Sequence, residues 1–209
     1  MCADSFGVLH SYRVLASLGI SEPDAEFLAW APDEVHRQVL ALQAMQPGCT
    51  TYVALGEYVF AYQGSPEAIA AGTVMRRNQR PPDGYCPGLL AASLPLHPDV
   101  DRRSCSEFRL LNAVSAALVR AGAALSSDST RAKLLGLVQV YVSGPPCLSC
   151  LGAFRQFQML LPSAELRVAI GSPCLEAWGT ASSVPLPYSL ARCPRSGKPN
   201  LHESGHDIR

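Results

Sequence analysis

Two short clusters hold residue types that could do chemistry together: Cys105-Ser106-Glu107 and Pro146-Cys147-Leu148-Ser149-Cys150. Cysteines at i and i+3 in the first turn of a helix can both reach one ion, and a thiolate from another helix start supplies a third ligand. Three protein ligands leave the fourth tetrahedral position to water, the layout of a catalytic zinc site; a structural site would take a fourth protein ligand. Glu107 stands two residues from the first cysteine, where a carboxylate can take up and deliver protons. Helix N-termini favour thiolate through their N–H groups and dipole. Three thiolates on Zn²⁺ leave the site formally negative, so a compensating cation is expected from Arg102, Arg103 or Arg109. Composition gives ~0.3 chance occurrences of Cys-x-Glu and ~0.02 of Pro-Cys-x-x-Cys, and ~0.4% for both in this order. The pair carries the signal, and neither half does so alone.

The elements that must position these clusters can be read from periodicity. Residues 5–30 read as short helical pieces, broken near Gly19 and Pro23. A clearer helix follows Pro32-Asp33, with Val35, Val39, Leu42 and Met45 at helical spacing. Thr51–Leu55 and Tyr58–Tyr62, around Gly56-Glu57, predict a hairpin with a two-residue turn. The polar stretch from Arg76 to Asp83 reads as a loop. Leu111, Val114 and Leu118 mark one face of a helix that opens at Cys105 and ends near Gly122. Leu137–Val142 is a strong strand, stopped by Gly144-Pro145-Pro146. Cys147, Cys150, Phe154, Phe157 and Leu161 then share one face of a helix, and Leu166–Ile170 reads as a further strand. The order is helix, hairpin, helix, strand, helix, strand, which predicts an α/β layer structure with a mixed central sheet.

The order Cys105-x-Glu107 … Pro146-Cys147-x-x-Cys150 on helix–strand–helix resembles the zinc-dependent cytidine deaminase-like superfamily. Ser143-Gly144-Pro145-Pro146-Cys147-Leu148-Ser149-Cys150, with Gln156-Phe157 and Leu161-Pro162 after it, is similar to its toxin-type, nucleic-acid deaminase branch. The resemblance covers roughly residues 33–172 by element order and is sharp at the two motifs. It implies a three-layer α-β-α fold. It also implies Cys105, Cys147 and Cys150 as zinc ligands and Glu107 as the proton shuttle between activated water, the ring nitrogen and departing ammonia. By the same resemblance, Ser106 presents its backbone to the base and Ser143 lines the substrate site. The implied substrate is a cytosine base, in single-stranded DNA or RNA because a duplex hides its bases. Adenine is the alternative. The first ligand is Cys where polynucleotide editors usually carry His, a choice more familiar from free-nucleoside deaminases.

Composition bounds these expectations. The chain has 209 residues, 17 of them basic and 17 acidic, so it lacks the basic surface with which proteins grip duplex phosphates. Asn78 and Arg80, with Arg76 and Arg77, form a basic loop that could steer a single strand, or merely be solvated. No signal peptide and no membrane-spanning stretch is evident, which makes the cytoplasm the default. Residues 1–32 read as a helical extension, 33–180 as the catalytic domain and 181–209 as a polar tail. Trp30 and Trp178 read as core anchors, and Cys2, Cys49, Cys86, Cys174 and Cys193 as ordinary thiols; Cys193, His202 and His206 are a faint metal hint. Three blander alternatives stand beside the enzyme. Cys147 and Cys150 could be buried core thiols, Glu107 a dipole-stabilised first-turn glutamate, and the whole a zinc-stabilised module without activity. Within enzymes the alternative is a deaminase of a free nucleoside or small heterocycle. Oligomeric state stays open.

Overall fold

A computed structural model describes residues 3–46, 51–79, 90 and 102–171. Arg80, the Pro81-Pro82 turn, Cys2, Cys49, Cys86, Cys174, Trp178, Cys193, His202, His206 and the whole 181–209 segment lie outside the described residues. Helices α1 (Ala3–Ser17), α2 (Ala25–Leu28) and α3 (Ala31–Met45) precede strands β1 (Val53–Tyr62) and β2 (Ala68–Arg77). Then come α4 (Ser106–Arg120), α5 (Asp128–Lys133), β3 (Leu134–Val142), α6 (Leu148–Leu160) and β4 (Ala164–Ile170). The strands form one mixed sheet in the order β2-β1-β3-β4. β1 runs antiparallel to β2 and to β3, and β4 lies parallel to β3 after the α6 crossover.

Alternation along the strands sends side chains to two cores. Val138, Val140 and Val142 of β3, with Leu166, Val168 and Ile170 of β4, meet Leu111, Val114 and Leu118 of α4 and Phe154 and Phe157 of α6. Tyr141, Ala169, Val53 and Leu55 face the other way, onto Phe27, Ala31 and Val35. Helices therefore flank the sheet on both faces, as strands buried on both sides require. The face foreseen on α6 is the buried one, with Cys150, Phe154, Phe157 and Leu161 each at most 1% exposed. α4 ends where Gly122 takes φ 87°, with Ala123 N–H bonding back to Leu118 C=O and Gly122 N–H to Val119 C=O. Only glycine enters that left-handed backbone cheaply.

Several expectations are corrected. The hairpin is real, but its turn is not at Gly56-Glu57: β1 passes straight through both residues, and the chain reverses between Tyr62 and Ala68. Gly56 marks a close approach instead, because a Cβ there would lie 3.1 Å from Leu110 Cδ2 of α4. Arg76 and Arg77 are the last residues of β2, Arg76 pairing with Ala54, and not part of a loop. Trp30 is 36% exposed and packs edge-on against Phe27, which is the buried anchor of that corner. Met45 is 76% exposed although it continues the apolar spacing of α3.

The segment from Tyr12 to Phe27 is tied into the sheet. Leu15 and Ile20 join the larger core and Phe27 the smaller one. Tyr12 Oη accepts from Ile170 N–H at 3.0 Å, and Val168 N–H donates to Ser21 C=O at 2.9 Å. Asp24 N–H donates to the buried Gln139 Oε1 at 2.8 Å, giving an otherwise costly amide in β3 a partner. No helix among the described residues is long and apolar enough to cross a membrane.

Candidate metal centre

Each cysteine of the two motifs is placed by a helix start. Cys105 is the N-cap of α4 and Cys147 the N-cap of α6, both with extended backbone, and Cys150 follows in the first turn of α6. α6 starts here because Pro145 and Pro146 cannot continue β3. Parallel pairing of β3 with β4 then carries α6 across the sheet beside α4, so the two helix starts converge. The Cys105 and Cys147 Sγ atoms are 3.9 Å apart, and those of Cys147 and Cys150 are 3.4 Å apart. All three lie within 4.8 Å of one another.

That spacing fits a metal. A tetrahedral zinc with Zn–S bonds of ~2.3 Å holds its sulfurs about 3.8 Å apart. Cys150 is buried while Cys105 and Cys147 are half-buried, so the cluster is reachable from one side. Two of the thiols, Cys105 and Cys150, hold their protons more tightly than an ordinary thiol. Hydrogen bonding with Cys147 is the largest influence on Cys105 and pushes it up to about 12. Cys150 is pushed well above the ordinary thiol value by its bonds to Cys105 and Cys147 and then by burial. A bound cation would reverse this balance.

Glu107 sits in the first turn of α4 and is 7% exposed. Burial raises its pKa above the ordinary carboxylate value, and the Cys147 thiol pushes the same way. Bonds from its own backbone N–H, from Ser106 and from Cys150 pull it back in part. Ser106 Oγ donates to Glu107 Oε2 at 2.9 Å, and Ser106 itself is 1% exposed. The Ser106 side chain thus serves the carboxylate, a partnership that sequence gave no means of seeing.

Several of the other expected site residues hold backbone in place around the motifs. Ser143 Oγ accepts from Val53 N–H at 2.9 Å while Ser143 N–H donates to Val53 C=O, extending the β1–β3 ladder by one pair. Asn78 does the same at the end of β2: Oδ1 accepts from Tyr52 N–H and its own N–H donates to Tyr52 C=O, both at 2.9 Å. Arg109 Nη1 donates to Arg77 C=O at 2.9 Å, binding α4 to the end of β2. Arg102 and Arg103 lie in a 3-10 turn, Arg102–Ser104, directly ahead of Cys105. Buried Asn112, one turn on from Phe108, accepts from Leu90 N–H and donates to Phe108 C=O, so it too holds backbone in place. Comparison with protein-family models, curated proteins and solved structures returned no match.

Proposed function

We propose that this protein is a zinc-dependent hydrolytic deaminase of a nucleobase, converting cytosine to uracil and ammonia, with single-stranded nucleic acid as its substrate. The observation that carries the reading is the convergence of three thiols from two helix starts on one point, with a buried carboxylate beside them. The motif order, which resembles the cytidine deaminase-like superfamily and its toxin-type branch, supports the same assignment. Helices on both faces of a mixed sheet are compatible with it.

Cys105, Cys147 and Cys150 would hold the ion as thiolates. Zinc bound there supplies Lewis acidity that makes water a nucleophile near neutral pH. Glu107 handles the protons. Its environment favours the protonated form, so a proton taken up at the carboxylate is held without a large penalty and can be delivered to the ring nitrogen and then to the leaving ammonia. The hydroxyl of Ser106 donates to Oε2 and so helps fix the plane of the carboxylate.

A consequence is that Ser106→Ala should lower turnover about tenfold, the scale of one hydrogen bond to a charged group, with zinc content unchanged. Ser106→Thr, which keeps the donor, should recover most of it. Unchanged turnover in Ser106→Ala would remove the positioning role.

Zero net charge and an all-cysteine site favour a second reading, a deaminase of a free nucleoside. Conversion of single-stranded DNA, duplex DNA, single-stranded RNA and free cytidine by the zinc-loaded protein separates the two. Conversion of a single-stranded polymer is the expected result. Conversion of cytidine alone moves the protein to small-molecule chemistry, and silence on all four with zinc bound leaves a metal-stabilised binding module.

A further inference from the structure

An exposed aromatic ring stands where both halves of the metal site are anchored. Tyr52 directly precedes β1 and is 45% exposed. Its ring rests on Gly144: a Cβ on that glycine would lie 2.9 Å from Tyr52 Cε1 and 3.2 Å from Cδ1. From the backbone around Tyr52, one hydrogen-bonded path leads to each motif. Asn78 brackets Tyr52 through two bonds of 2.9 Å, and the next residue, Gln79, donates its N–H to Ser104 C=O at 3.0 Å, one residue before Cys105. On the other side, Val53 is bracketed by Ser143, and Gly144 stands three residues before Cys147. Three residues span at most roughly 11 Å, so the ring is held within a nucleotide or two of the thiols.

The described surface beside it includes exposed apolar side chains. Pro145 is exposed, and Leu148, between the two cysteines of α6, is 59% exposed. Three arginines of β2 and α4 each donate a hydrogen bond to a protein partner. Arg76 Nη1 donates to Met75 C=O at 2.7 Å, Arg109 Nη1 to Arg77 C=O at 2.9 Å, and Arg77 Nε to Gln79 Oε1 at 3.4 Å. A site beside a base-modifying centre that offers a fixed ring and aliphatic edges is suited to stacking.

We propose that Tyr52, with Pro145 and Leu148 beside it, is a stacking platform for a base of a single-stranded nucleic acid, flanking the base presented to Glu107. This rests on the deaminase reading and names how that site would hold a polymer. Preformed rigidity matters here, since a ring already fixed on Gly144 loses little freedom when a base lands on it.

The test uses the full chain loaded with zinc and silenced by Glu107→Gln, so that binding is read without turnover. Fluorescent twelve-nucleotide single strands of DNA and of RNA are titrated at several salt concentrations. Tyr52→Ala is expected to weaken binding roughly tenfold, Tyr52→Phe to bind like its parent, and Gly144→Ala to weaken binding by displacing the ring. Tyr52→Leu, which keeps apolar bulk without a ring, covers the case in which the alanine variant is too unstable, and it should weaken binding in the same way. Equal binding by the parent and the Tyr52→Leu or Tyr52→Ala variant, at matching zinc content and melting temperature, would overturn the platform. Absence of turnover in the wild-type chain on every base is a separate result, which removes the deaminase reading and leaves the binding series to be judged by itself.

Discussion

Zinc added to chelator-stripped protein is expected to raise its thermal midpoint by about 10 °C, at one ion per chain. With free zinc a thousandfold above its dissociation constant, preferential binding to the native state stabilises by about 4 kcal/mol. In a domain of this size each kcal/mol shifts the midpoint by about 2–4 °C. Cys105 and Cys150 start protonated, Cys105 up to about 12 and Cys150 well above its ordinary value, so binding must expel protons. Apparent affinity should therefore rise steeply with pH through the neutral range, and calorimetry in buffers of different ionisation enthalpy should register the protons released. Cys147→Ser and Cys150→Ser should each lose most of the shift, because two remaining thiols no longer close the site. A midpoint unmoved by zinc, or stoichiometric binding that survives Cys147→Ser, would contradict the metal centre.

Glu107→Gln is expected to do two opposite things: abolish deamination and stabilise the stripped protein. Losing the proton carrier should reduce turnover by about 10³-fold or more, within the range for general acid–base groups. The stability effect follows from burial. In the stripped protein the Glu107 pKa is raised above its reference value of 4.5, so the native state binds more protons than the unfolded chain once pH exceeds that value. The stabilisation present below pH 4.5 is lost as pH rises through the raised value, and the residue is a liability at neutral pH. The neutral amide carries no such penalty. Its variant should gain on the order of 1 kcal/mol at neutral pH and show a flatter dependence of stability on pH. Denaturant midpoints for both proteins between pH 4 and pH 8 check this. A variant less stable than its parent at neutral pH would place the carboxylate in a structural role.

What could be read in advance tracks which physical signals act locally. The α6 face from Cys150 to Leu161 was legible because helical burial repeats along the sequence. The two helix starts carrying the cysteines were legible because proline and the apolar register mark them. β2 was missed: Ala68-Ile69-Ala70-Ala71-Gly72-Thr73-Val74-Met75 is rich in small residues and mostly half-buried, so it shows no clean alternation. Gly56-Glu57 imitated a turn, yet Gly56 is needed for the approach of Leu110 from another element, which no window around residue 56 contains. Ser143 and Asn78 carried polar groups of the right kind beside the right motifs, but their partners are the backbones of Val53 and Tyr52, 90 and 26 residues away. Tyr52 drew no attention from sequence because its significance depends on Gly144 lying under its ring. In each case the missing information was a contact between elements.

The central claim is tested most directly by incubating zinc-loaded protein with a single-stranded oligonucleotide containing cytosines in ¹⁸O-labelled water, followed by mass spectrometry of the released bases. The account predicts uracil carrying one labelled oxygen at C4, where the C–N bond has broken and a C–O bond has formed, with one ammonia per uracil. It also predicts that neither product appears with Glu107→Gln or with protein stripped of zinc. Unchanged cytosine throughout, from protein that binds one zinc through Cys105, Cys147 and Cys150, would contradict it.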